Sequence, residues 1–84
     1  MDTTLSVEQV EAINKVIAEE LSVAIQQVTP DTKFIEDLGA DSLSIVELIL
    51  ALEERFNITI PDEISDRCTA VADLYEAISS LLPH

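Results

Sequence analysis

Hydrophobic positions along this chain fall into three helical stripes, separated by segments that do not keep the period. Val10, Ile13, Ile17 and Leu21 recur at helical spacing and predict an amphipathic first helix. Ser6-Val7-Glu8-Gln9 reads as a capping box, so this helix begins at Ser6, and Glu8, Glu11, Glu19 and Glu20 fall largely outside its stripe. Ile45, Leu48, Ile49, Leu52 and Phe56 predict a second helix from about Ser42 to Phe56. Asp41 is its natural N-cap, with a carboxylate that suits the positive end of the helix dipole. Val71, Leu74, Tyr75, Ile78 and Leu82 form the stripe of a last helix, which Thr69 can cap.

Between the first two helices lies a long connection, from about Ser22 to Ala40, punctuated by Pro30 and Gly39. Its apolar residues Val28, Phe34, Ile35 and Leu38 are expected to pack on the core, and loops of this length in compact domains are often functional. Gly39 permits the tight turn into the second helix. Asn57 to Pro61 forms a break, because Pro61 stops a regular continuation. Asn57-Ile58-Thr59-Ile60 alternates as a strand would, but it has no strand to pair with. Asp62 to about Asp66 predicts a short helix capped by Asp62. The expected architecture is all-α, a small four-helix bundle with three main helices, one short helix and a long first loop, forming one domain over residues 1–84.

The second helix is apolar twice over. At about 100° per residue, Ile45, Leu48, Ile49, Leu52 and Phe56 gather on one face, assigned to the core. If Phe56 is buried there, truncating it to Ala should cost about 3–5 kcal/mol. Leu43, Val46 and Leu50 lie roughly opposite, flanked by Glu47, Glu53 and Glu54, with Ser42 at the upper edge. A surface helix needs only one buried stripe. An exposed apolar patch rimmed by acids marks an interaction site for a partner carrying Arg and Lys around a shallow apolar depression. The competing reading buries the whole helix, and Glu47 in the middle of the apolar run argues against it.

Charge narrows the class of partner. The net charge is −13, with Lys15, Lys33, Arg55 and Arg67 the only Lys and Arg cations. That balance disfavours nucleic acid and anionic membranes, and it favours basic protein surfaces reached by electrostatic steering. Self-repulsion costs stability, so salt or divalent cations should tighten the fold. No apolar run approaches the length of a membrane span, and the residues after Met1 show no signal-peptide pattern. Cys68 is the single cysteine, which forbids an intrachain disulfide and fits a reducing compartment. A cytoplasmic monomer is expected.

Candidate chemistry centres on Asp37-Leu38-Gly39-Ala40-Asp41-Ser42-Leu43. It sets one hydroxyl, on Ser42, at the first turn of a helix with no base beside it in sequence. Such a hydroxyl is better suited to carry a group than to attack a substrate. Cys68 has no His or Asn placed to activate it and is expected to fill a small apolar site. One Cys and the terminal His84 cannot assemble a triad or a zinc site. Asp31 opens a tempting calcium loop, but Glu36 stands where glycine is needed and Ser42 where the closing glutamate is needed. Loose divalent binding between the acids of the second helix and Asp62 would be structural. No metal site and no enzyme activity are expected.

These residues resemble the acyl carrier protein family in its discrete bacterial form. The family's attachment motif, D-S-L within D-x-G-x-D-S-L, appears as Asp37 to Leu43. The likeness continues through Leu48-Ile49-Leu50-Ala51-Leu52-Glu53-Glu54-Arg55-Phe56 and Ile60-Pro61-Asp62-Glu63, and spans about Val7 to Ile78. The resemblance implies that Ser42 receives 4'-phosphopantetheine from coenzyme A through a phosphopantetheinyl transferase, and that the arm's thiol holds acyl groups as thioesters. It implies that Leu43, Val46, Glu47, Leu50, Glu53 and Glu54, extended by Asp62 and Glu63, are read by acyl-processing enzymes with basic docking patches. It also implies that the acyl chain can slip between the helices. Ser44 and Arg55 depart from the bacterial fatty-acid pattern, the first by removing an acid after D-S-L and the second by shortening an anionic run.

The expected function is therefore to carry acyl intermediates of fatty-acid synthesis on the arm of Ser42. One alternative is a specialised carrier for polyketide, lipid-modification or aminoacyl intermediates. Another, from a different class, is an unmodified acidic helical adaptor that binds a basic partner. Ser42→Ala separates the two classes, because only a carrier needs the hydroxyl.

Overall fold

Local capping chemistry sets the first boundary. The computed structural model describes residues 5–82. Ser6 Oγ accepts the Gln9 amide at 3.1 Å, and Gln9 Oε1 accepts the Ser6 amide at 2.9 Å, which closes the expected capping box. Helix α1 then runs Val7–Leu21 and ends at Ser22, whose left-handed backbone (φ 57°) turns the chain out of the helix. Helix α2 runs Ser42–Phe56, α3 Asp62–Ser65 and α4 Val71–Leu81. Asn57, also left-handed (φ 55°), closes α2.

The core lies among the three long helices. Ile13 and Ile17 of α1, Leu48 and Leu52 of α2, and Val71, Leu74 and Ile78 of α4 are essentially fully buried. Removing one such side chain from water contributes about 1.5–3 kcal/mol. The remaining walls come from irregular backbone: Val28, Phe34 and Ala40 from the long loop, and Ile60 from the break after α2. Tyr75 is buried on α4 with its hydroxyl donating to Asn14 Oδ1 on α1, and burial raises its pKa. Phe56, assigned to the core face from its spacing, is only half-buried and packs on the core's edge, because α2 ends there.

The long loop is stitched to the start of α4. Phe34 N–H donates to the Thr69 carbonyl at 3.0 Å, Val71 N–H to the Thr32 carbonyl at 2.9 Å, and Ala72 N–H to the Pro30 carbonyl at 3.0 Å. Lys33 and Ala70 form an isolated antiparallel bridge within this stitching. A single 3-10 turn, Ile25–Gln27, precedes it, and the buried Thr32 hydroxyl donates back to the Gln27 carbonyl at 2.9 Å. The loop therefore packs as expected, with one correction. Ile35 is 62% exposed while its neighbour Phe34 is 3% exposed. With Phe34 facing the core, the adjacent side chain is turned outward.

Two helix starts also differ from expectation. Asp62 is the first residue of α3 rather than its cap; Pro61 occupies the cap position, and its carbonyl accepts from the amides of Ile64 and Ser65 at 3.0 Å. The short helix ends at Ser65, with Asp66 as its C-cap. Thr69 does not cap α4. The Asp73 carboxylate instead reaches back to accept the amides of Thr69 and Ala70, each at 3.0 Å, so the first-turn acid does the work assigned to the hydroxyl. Leu82 lies just past the end of α4 and donates its amide to the Ile78 carbonyl. Asn57 to Ile60 stays irregular, without a strand partner. His84 lies outside the described residues. Among the described residues no helix is long and apolar enough to cross a membrane, and no three acidic, His or Cys side chains cluster to hold a metal ion.

Candidate functional site

The approach to α2 is built one residue at a time. Asp37 Oδ2 accepts the Lys33 amide at 2.9 Å, while the Lys33 carbonyl accepts the amides of Asp37 and Leu38. This closes a tight turn from Lys33 to Leu38. Gly39 then adopts φ +69°, and a Cβ placed there would meet nothing within 4 Å. Its requirement is conformational rather than steric. Ala40 is buried and donates its amide to the Phe34 carbonyl at 3.0 Å, which pins the chain immediately before the helix.

Asp41 caps α2. Its Oδ1 accepts the Ser44 amide at 2.8 Å and the Ser44 hydroxyl at 2.9 Å. These two donors hold the carboxyl below the ordinary carboxylate range. The carboxylate is thereby committed to Ser44 and not to Ser42. Ser42 itself is the first residue of α2, exposed, with no described hydrogen bond tying down its hydroxyl. Ser44, a departure from the pattern by sequence, has acquired a local role as the second donor to the cap.

The outer face of α2 is open as the periodicity indicated. Leu43 is 66%, Val46 53% and Leu50 56% exposed. Glu47 and Glu54 are exposed beside them, as are Asp62 and Glu63 on α3. Glu53 differs from its neighbours: it is half-buried, and its Oε2 accepts the Ile60 amide at 2.7 Å. It clamps the break after α2 to the helix, a structural duty that spacing alone did not reveal. Ile35, expected in the core, instead joins Val46 and Leu50 along one cleft. Its neighbour Phe34 was the only signal: two adjacent bulky residues in a turn cannot both face inward.

That cleft, about 650 Å³, has Ser42 among its lining residues. Phe34, Ile45, Ile49, Ile60 and Cys68 supply apolar wall, and Lys33, Glu36 and Asp62 supply polar rim. Burial, with a further contribution from the Asp73 carboxylate, pushes the Cys68 thiol up to about 11, and its Sγ donates to the Ile64 carbonyl at 3.4 Å. A thiol so disfavoured as thiolate is a wall residue and not a nucleophile. An exposed hydroxyl at a helix N-terminus, beside a partly apolar cleft, suits a tethered phosphate ester: free amides and the helix dipole favour the anion, and the cleft can shelter an attached chain.

A small helical domain whose first-turn serine is exposed beside a cleft has the geometry to carry an attached group. Comparison with known proteins agrees. A family model described as "Phosphopantetheine attachment site" matches residues 11–78. An acyl carrier protein of Helicobacter pylori strain J99 is 56% identical over 68 residues, covering 81% of this chain and 87% of that protein. Acyl carrier proteins of strains G27 and HPAG1 are each 53% identical over the same coverage. The chain belongs to the acyl carrier protein family, whose prosthetic group is 4'-phosphopantetheine, and it is a carrier and not an enzyme.

Proposed function

We propose that Ser42 is the residue that receives 4'-phosphopantetheine, and that the arm presents acyl intermediates of fatty-acid synthesis to partner enzymes. The observation that carries this reading is the division of labour at the start of α2. Asp41 is engaged with Ser44, whereas Ser42 is exposed and uncommitted. In the modification, Ser42 Oγ attacks the phosphorus that bears the pantetheine, the phosphoanhydride bond of coenzyme A breaks, and adenosine 3',5'-bisphosphate leaves. The hydroxyl proton goes to a base of the transferase, since Asp41, held as an anion by two donors, is a weak base. Once bound, the group supplies a terminal thiol that holds the acyl chain as a thioester.

Leu43, Val46 and Leu50, with Ile35 beside them, form the apolar centre of the docking face; Glu47, Glu54, Asp62 and Glu63 form its acidic rim. Glu53 contributes to that face chiefly by holding its backbone. Basic patches on the transferase and on acyl-processing enzymes complement this rim, and steering by a net charge of −13 speeds their encounter. The domain acts as a monomer over residues 1–84, in the cytoplasm.

The test is Ser42→Ala. Complete loss of carrier function with an unchanged helical spectrum is the expected result; retained function would make the chain an acidic adaptor. Glu47→Lys tests the docking face: binding to a basic partner enzyme should weaken without loss of fold. Unchanged affinity would remove Glu47 from the face for that partner.

A further inference from the structure

We infer that Lys33 binds the phosphodiester of the group attached to Ser42, so that the prosthetic arm is held at its root by a side chain of the long loop. The inference rests on Ser42 being the attachment residue. Lys33 and Ser42 line the same cleft, and Lys33 is the one cation among the residues lining it. The other charged groups there are Glu36, Glu53, Asp62 and Asp66. A phosphodiester on Ser42 would add a further negative charge beside the Asp41 carboxylate. The two like charges repel, more strongly near protein than in water. The dipole of α2 offsets part of this, and Lys33, the cation that shares the cleft, can offset more.

The backbone of Lys33 is unusually fixed for a loop residue. Its amide donates to Asp37 Oδ2, its carbonyl accepts from Asp37 and Leu38, and it is bridged to Ala70. Its neighbour Phe34 is locked in the core. Only the flexible stem of Lys33 is left to choose a partner. Its partner in this structure is Glu36 Oε1 at 3.4 Å, with both side chains at least half exposed. Exposed pairs of this kind are worth little, so Lys33 can exchange Glu36 for a phosphate oxygen at small cost.

Lys15 on α1 is the only other lysine and does not line the cleft, which makes it an internal reference. The experiment treats the unmodified protein and the phosphopantetheine-bearing protein with a limiting amine-acylating reagent, then maps peptides by mass spectrometry. Contact with the anion occludes the amine. Reactivity of Lys33 relative to Lys15 should fall by about two-fold or more on modification, the scale of one exposed charge-assisted contact. Glu36→Gln should leave that protection in place. The same map reads the state of Ser42. If Ser42 takes no group, the attachment reading fails and this inference fails with it. If Ser42 carries the group and the Lys33 to Lys15 ratio is unchanged, the phosphate contact alone is overturned.

Discussion

The two faces of α2 use the same kinds of residue for opposite ends. Leu48 and Leu52 on the inner face have essentially no accessible surface, while Leu43 and Leu50 on the outer face are more than half exposed. Hydrophobicity does not distinguish them; angular position does. The inner leucines are buried in the core they share with residues of α1 and α4, whereas the outer ones meet solvent beside Glu47 and Glu54. The inner face holds the domain together, and the outer face is left open to solvent as the proposed docking surface. Ser42 stands at the head of the helix that both faces share.

The contrast is sharpest under truncation. Leu52→Ala should destabilise the domain by about 2–5 kcal/mol, enough to lower its melting temperature severely in a protein of this size. Leu50→Ala should change stability by less than about 0.5 kcal/mol while weakening partner binding. Comparable losses from both would mean that the outer face is packed. Phe56→Ala falls between them. Half-burial at the end of α2 brings the expected loss down to about 2 kcal/mol, from the larger value for a fully buried ring. Denaturant titration of the variants gives the order directly.

A similar division holds among the acids. Glu53→Ala removes the acceptor of the Ile60 amide and should cost about 1.5–3 kcal/mol, the range for hydrogen bonds to charged groups. Glu47→Ala, with no such duty, should leave the melting temperature nearly unchanged. Equal behaviour of the two in thermal melts would dissolve the distinction between a rim acid and a clamp.

The smallest effect concerns Asp41. Its folded pKa lies below the ordinary carboxylate value because Ser44 donates twice to it. The unfolded state therefore binds the proton more readily, and stability rises with pH between the two values. The contribution is fully present above the ordinary carboxylate range and is lost as pH falls through the lowered one. Melts taken from neutral to acidic pH should show less acid sensitivity for Asp41→Asn than for the parent protein. Identical profiles would mean that the cap is not charged-state dependent.

What was legible in the sequence is what is decided locally. The limits of α2, the Ser6 capping box and the Asp41 cap follow from neighbours within one helical turn. The open outer face follows from angular spacing alone. What escaped is decided across the chain. Glu53 was grouped with the acidic rim because its partner, Ile60, lies beyond the end of the helix. Ile35 is apolar like its neighbour Phe34, and the pairing of this segment with Thr69 and Ala70, far away in sequence, accompanies the burial of Phe34 and the exposure of Ile35. The caps of α3 and α4 were misassigned because Pro61 and Asp73 each competed successfully with the residue that composition favoured.

The central claim is that the uncommitted hydroxyl at the head of α2 carries the prosthetic group. Intact-mass spectrometry of protein purified from its native host, with peptide mapping across Asp37 to Leu43, tests it most directly. A phosphopantetheine adduct on Ser42, with acyl masses on its thiol, is the predicted result. Protein without the adduct, and still inert after incubation with coenzyme A and several broad-specificity phosphopantetheinyl transferases, would contradict the account.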